Sequence, residues 1–172
     1  MTYTMTPEQR HKCMSRIHSR DTTPELLVRR WLWSHGYRYR LNVKGVPGKP
    51  DIVMRPYHTA IFVNGCFWHG HEGCDKFRIP KSNVEFWQNK INRNQERDRQ
   101  NYQLLKDNGW HVIVIWECQL QPNIIKDTML SVETLLCDYF LKLHQPKIKP
   151  YPIQEEEALP MAAESNNKYN TI

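Results

Sequence analysis

The sequence predicts a mixed α/β fold, one sheet of short strands with helices around it. Three observations carry that expectation. Short apolar runs at residues 52–54, 61–63 and 110–116 are bounded by Gly, Pro, Asn or Asp, as strands are. Longer stretches around residues 24–35, 84–106 and 123–143 place apolar residues at helical spacing. The two kinds alternate in the order α-α-β-β-β-α-β-α, without an internal repeat.

Thr6-Pro7-Glu8-Gln9 is a helix start, with Thr as N-cap, Pro at the first helical position and Gln at the third. That helix should run to about residue 17 and carry Arg10, Lys12 and Arg16. Thr22-Thr23-Pro24-Glu25 opens a second helix, in which Leu26, Leu27, Trp31 and Leu32 form the apolar positions before Gly36 stops it. Residues 37–43 read as a strand. After the Gly/Pro loop of residues 44–50, Asp51-Ile52-Val53-Met54 reads as another, opened by a carboxylate, and Arg55-Pro56-Tyr57 turns the chain into a third that ends at Val63. The last two should pair as a hairpin. The helix at 84–106 has Phe86, Trp87, Ile91, Tyr102, Leu104 and Leu105 as its apolar points and ends at Asn108-Gly109. Residues 110–116 form the final strand, and an amphipathic helix spans about 123–143.

The chain has 172 residues and a formal net charge of +6. Three of its 24 Lys/Arg and four of its 18 Asp/Glu lie in residues 145–172, so residues 1–144 carry 21 against 14. One domain over 1–144 is expected, followed by a Pro-rich, acidic segment over 145–172 that reads as a disordered tail. A basic body suits a polyanionic partner. No apolar run approaches a membrane span, and the N-terminus lacks a signal-peptide core. Five cysteines is an odd number, and three of them read better as metal thiolates than as disulfides, which favours a reducing cytoplasm. Cys13 and Cys137, on helices, read as ordinary thiols.

The densest chemistry lies just past the third strand, in Gly65-Cys66-Phe67-Trp68-His69-Gly70-His71-Glu72-Gly73-Cys74. Cys66, His71 and Cys74 have the spacing of zinc ligands, and Cys118, after the last strand, would complete a tetrahedron. Four protein ligands leave no open position, so such a zinc would be structural. His69 suits acid–base work, although spacing alone also allows a further ligand or a structural role. Phe67 and Trp68 are an aromatic pair in a loop, where exposure would be costly without a partner.

Six motifs occur in one order: Asp21-Thr22, Pro47-Gly48-Lys49-Pro50-Asp51, Gly65-Cys66-Phe67-Trp68-His69, Glu85-Phe86-Trp87, Glu96-Arg97-Asp98-Arg99 and Trp116-Glu117-Cys118. Over roughly residues 8–140 the chain resembles the very-short-patch-repair (Vsr) DNA mismatch endonuclease family. The resemblance implies a restriction-endonuclease-like core and magnesium-dependent nicking of one strand, 5′ to the thymine of a T:G mismatch left by 5-methylcytosine deamination. It makes Asp51 the principal magnesium ligand, with the main-chain carbonyl of Val63 nearby. By itself Asp51 reads as a turn-former. The family commonly has Thr and His where Val63 and Asn64 stand here, and its cysteine loop is one residue shorter, a difference that Gly70 and Gly73 can absorb.

The same resemblance makes His69 the general base and Asp98 the residue that orients it. Thr22-x-x-Glu25 is a capping box by its spacing, whereas the resemblance puts Glu25 near the catalytic site. Phe67, Trp68 and Trp87 resemble residues that the family wedges into the base stack, with Met14 entering from the minor groove; the alternative for the rings is core packing. Lys44, Lys49, Lys90, Arg93, Arg97 and Arg99 suit phosphate contacts or simply a solvated face. The implied partners are double-stranded DNA, mismatch-repair proteins of the MutL type and a cognate cytosine methyltransferase, with a cytoplasmic, nucleoid-associated monomer expected. Two rival readings are a restriction- or transposition-type nuclease of the same core, and a zinc module that binds DNA without cutting it.

Overall fold

The computed structural model describes residues 20–145 together with Thr6, Glu8, Gln9 and Lys12. Thr6 and Gln9 make both halves of the expected capping box: Thr6 N–H donates to Gln9 Oε1 at 3.0 Å and Gln9 N–H to Thr6 Oγ1 at 3.2 Å. The remainder of that helix, Met14 and Cys13 included, lies outside the described residues, as do residues 146–172 of the expected tail.

Three strands form one mixed sheet in the order β1-β2-β3. β1 (Ile52–Met54) and β2 (Thr59–Asn64) make the expected antiparallel hairpin, with Ile52 opposite Ile61. The connection is a single 3-10 turn, Arg55–Tyr57, closed by His58 in the left-handed region at φ 46°. β3 (His111–Trp116) runs parallel to β2 along its whole length, from Thr59 opposite His111 to Asn64 opposite Trp116. A parallel partner needs a long crossover, which α2 (Val84–Asp107) supplies.

The expected strand at 37–43 does not form. Only Arg40 pairs, in an isolated antiparallel bridge to Val53, and Asn42 at φ 51° turns the chain out of extended conformation directly afterwards.

Helices cover both faces of the sheet. α1 (Thr23–Ser34) and α3 (Ile125–Leu143) pack on one face, where Val28, Leu32, Met129, Val132 and Leu136 meet Ile52, Met54, Ile61, Ile113 and Ile115. Trp31 Nε1 donates to Glu133 Oε1 at 2.6 Å and ties these helices together. α2 covers the other face, where Leu105 and Tyr102 meet Ala60, Phe62 and Val112. No helix among the described residues is long and apolar enough to cross a membrane.

Two helical faces differ from expectation. α1 buries Glu25, Val28, Arg29 and Leu32, a stripe at i, i+3, i+4 and i+7, while Leu27 is exposed. The helix forms where expected with its inner face turned, because the Glu25–Arg29 ion pair, rather than Leu26 and Leu27, joins Val28 and Leu32 there. α2 buries only Ile91 and Leu105 fully, with Phe86 and Leu104 exposed.

Candidate functional site

The N-terminal end of β1 and the C-terminal ends of β2 and β3 lie at one edge of the sheet. Parallel strands collect their loops at such an edge, and there the chemistry-bearing residues converge. Asp51 is one residue outside the hairpin pairing, behind Pro50, and its Oδ2 accepts the Val63 N–H at 2.7 Å. Gly48, at φ 74°, holds the preceding loop against α2: a Cβ there would sit 2.9 Å from Asn101 Cβ. A strand residue points its N–H and C=O to the same side, so the Val63 carbonyl faces the edge that Asp51 occupies. Burial pushes the Asp51 carboxyl above its usual range, opposed by the Val63 hydrogen bond. The charge of Glu25 pushes it further up, while those of Arg29 and His69 draw it down. A half-buried carboxylate beside a main-chain carbonyl is an oxygen donor set suited to a hard divalent cation.

Residues 65–74 follow β2 as a loop clamped on α2. Asn94 Nδ2 donates to the Trp68 carbonyl at 2.8 Å and Gln95 Nε2 to the Gly70 carbonyl at 3.0 Å. One turn on, Asp98 Oδ2 bonds His69 Nδ1. Gly70 is required by this close approach, since a Cβ would lie 2.6 Å from Gln95 Nε2 and 2.7 Å from Ile91 Cγ2. Asp98 fixes the imidazole with its proton on Nδ1 and leaves Nε2 able to accept another. His69 is only 24% exposed and Asp98 16%, a setting in which a proton can be exchanged with water at one ring nitrogen.

Glu25 is committed to its helix. Its carboxylate accepts the Asp21 N–H at 3.1 Å, the Thr22 hydroxyl at 2.9 Å and Arg29 Nη2 at 2.7 Å. Thr22 caps α1 in return, so the capping box is present, reinforced by a buried ion pair. Glu25 still acts on Asp51 through its charge. Arg29 was invisible as a site neighbour in the sequence, because a cation at that helical position usually faces water.

Cys66, His71, Cys74 and Cys118 come together although Cys118 is remote in sequence. Their ligand atoms lie within 4.8 Å of one another, with His71 Nδ1 3.6 Å from Cys66 Sγ and 3.4 Å from Cys118 Sγ. A tetrahedral zinc would place such atoms about 3.5–3.8 Å apart, so the cage fits one. Burial pushes the Cys66 thiol up to about 12, and three sulfurs so crowded ionise together only around a cation. His71 stacks on Trp116 at 4.1 Å between centroids and 2° between planes, which presents Nδ1 to the sulfurs. Lys76 bonds Glu117 at 3.1 Å and closes the loop against the end of β3.

Phe67, Trp68 and Trp87 form one cluster, with centroids 5.2 Å, 5.3 Å and 6.0 Å apart, and Phe86 flanks Trp87 at 5.3 Å. Among the described residues these rings pack on one another rather than into either side of the core. Phe86 is 59% exposed. Lys44, Lys49, Lys90, Arg93, Arg97 and Arg99 are all exposed. A second pair went unread in the sequence: Asn64 Nδ2 donates to the Tyr102 hydroxyl at 3.0 Å. Its only signal is that Tyr102 follows Asp98 by four residues, on the same helical face.

A cation-ready carboxylate, a carboxylate-held histidine and exposed basic residues make up the equipment of a phosphodiester hydrolase. The family model described as DNA mismatch endonuclease Vsr matches residues 2–76. The type II nicking enzyme V.NmeAIP of Neisseria meningitidis serogroup A is 50% identical over 125 residues, which are 73% of this chain and 89% of the relative. V.XorIIP of Xanthomonas oryzae pv. oryzae, also a type II nicking enzyme, is 45% identical over 120 residues, 70% of this chain and 88% of the relative. The DNA mismatch endonuclease Vsr of Escherichia coli K12 is 41% identical over 112 residues, 65% and 71% of the two chains. The chain therefore belongs to the Vsr family of DNA endonucleases.

Proposed function

We propose that this protein nicks one strand of duplex DNA on the 5′ side of the thymine in a T:G mismatch, in a magnesium-dependent reaction. The observation that carries the reading is the meeting, at one sheet edge, of Asp51, the His69–Asp98 pair and the Phe67–Trp68 pair on the same loop as His69. The core would be of the restriction-endonuclease type. Asp51 and the Val63 carbonyl would hold magnesium, which when bound supplies positive charge to offset that building on the phosphate. His69 Nε2 takes a proton from the attacking water while Asp98 stabilises the imidazolium through Nδ1. Water oxygen bonds to phosphorus as the bridging P–O bond breaks, and the leaving sugar oxygen takes a proton from solvent. Glu25 would act at the catalytic site through water on the metal, and its charge and that of Arg29 set the electrostatic background of Asp51.

Phe67, Trp68 and Trp87 would enter the base stack beside the mispair, with Met14 from the other groove. Opening a step costs a few kcal/mol, less at a mispair, so the wedge can contribute to selectivity. Zinc held by Cys66, His71, Cys74 and Cys118 would lock the wedge loop to β3. The exposed Lys and Arg side chains would hold phosphates, and MutL-type proteins and a cognate cytosine methyltransferase would be its protein partners.

The test is nicking of end-labelled duplexes carrying T:G, T:A, C:G or other mismatched pairs, with magnesium or with EDTA. T:G duplex should be cut selectively and only with the cation. Asp51→Ala and His69→Ala should cut far more slowly yet keep their T:G preference in binding. Phe67→Ala and Trp68→Ala should lose about 1–3 kcal/mol of that preference per ring. Equal cutting of matched and mismatched duplex would remove the mismatch reading and leave a general nicking enzyme.

A further inference from the structure

Asn64 ends β2, is 4% exposed and lies two residues beyond Phe62, so both side chains face α2. Tyr102 answers from α2. Its ring is wedged against Phe62 at 4.8 Å, beside Ala60 and Leu105, and its hydroxyl oxygen accepts the Asn64 amide at 3.0 Å. The ring is thus held by packing and the oxygen by an amide that is itself buried. One hydroxyl proton remains, and among the described residues no side chain or carbonyl accepts it.

The hydroxyl lies beside the candidate active site, since Asn64, which it bonds, directly follows Val63. Asp98 precedes Tyr102 by one helical turn, and the charges of Asp98 and Asp51 both act on the phenol. Burial, with those two carboxylates adding to it, pushes the phenol up to about 12, so the group remains a neutral donor wherever the enzyme would work. A neutral donor bonded next to Val63 and one helical turn from Asp98 is placed to meet a phosphate on which Asp51 and His69 both act.

We propose that the Tyr102 hydroxyl donates a hydrogen bond to a non-bridging oxygen of the scissile phosphate, and that Asn64 is the positioning residue that aims it. This rests on the reading of Asp51 and His69 as the nicking centre. The hydrogen bond strengthens as negative charge builds on the phosphate oxygens, and it transfers no proton. It adds to the site a fixed neutral donor, where lysine or arginine would be drawn to the neighbouring carboxylates instead.

The experiment is single-turnover nicking of a T:G duplex by wild type, Tyr102→Phe, Asn64→Ala and the double variant, with Asp51→Ala alongside. Each is run on the natural phosphate and on the two separate phosphorothioate diastereomers at the scissile position. Tyr102→Phe retains the packed ring, so its thermal midpoint and T:G affinity should match wild type while the rate falls about 100-fold. Asn64→Ala should lose about 10-fold in the presence of Tyr102 and nothing further in its absence. Sulfur is a poor acceptor, so the Tyr102→Phe deficit should shrink to a few-fold on one diastereomer and persist on the other. A wild-type rate for Tyr102→Phe, or equal deficits on both diastereomers, overturns the proposal. Wild-type nicking by Asp51→Ala would instead overturn the reading of the centre itself.

Discussion

Replacing Arg29 with Met leaves Glu25 as a buried carboxylate without its counter-charge. The side chains of Arg29 and Glu25 are 10% and 6% exposed, whereas that of Asp21, the other partner of Arg29, is 71% exposed. The Asp21 contact is therefore a solvent-screened pair that contributes little, and Glu25 decides the cost. Breaking a buried pair from one side costs about 3–5 kcal/mol. Arg29 Nε is buried without a partner, and removing it gives back about 1–2 kcal/mol. A net loss of about 1–4 kcal/mol is expected for Arg29→Met. Adding Glu25→Gln retains an acceptor for Asp21 N–H while removing the charge, and should recover most of that loss. Urea unfolding followed by tryptophan fluorescence measures both. An Arg29→Met protein within about 0.5 kcal/mol of wild type, or a double variant no more stable than the single, would refute the reasoning.

Three further outcomes are expected. Purified protein should carry about one zinc per chain, and Cys118→Ala should lose both the metal and much of the stability; a zinc-free protein that is folded and active would contradict the cage assignment. Burial, with His58 and Lys142 nearby, lowers His111 below its ordinary 6.5, so its contribution to stability is complete above that pH and is lost as pH falls through the lowered native value. His111→Phe, which can retain the stack on Tyr139, should flatten the decline of thermal midpoint below pH 6.5; an unchanged decline would show that other groups cause it. A chain ending at Gln145 should nick at near the full-length rate, since the segment beyond it has prolines and an acidic run but no candidate catalytic group. Loss of nicking by such a chain while it remains folded would assign that segment a working role.

The sequence by itself determined what local chemistry determines. Helix starts at Thr6 and Thr22 follow from capping, the β1–β2 hairpin from two apolar runs across a short turn, and the composition of the cage from the types and spacing of Cys66, His71 and Cys74. Periodicity could locate α1 but not its inner face, because a helix with both leucines and an ion pair offers two candidate stripes; the space between α1 and the sheet settled on Glu25 and Arg29. The strand expected at 37–43 failed for a similar reason: residues suited to a strand need a neighbour to bond, and only Arg40 finds one before Asn42 turns away. Tertiary structure alone decided the distances across the site. Parallel pairing of β2 with β3 brings Cys118 to a loop that ends at Cys74, and packing of α2 on the sheet brings Asp98 to His69 and Tyr102 to Asn64. Such meetings depend on strand order and helix placement, which sum many weak contacts over the whole chain, so no window of residues contains them.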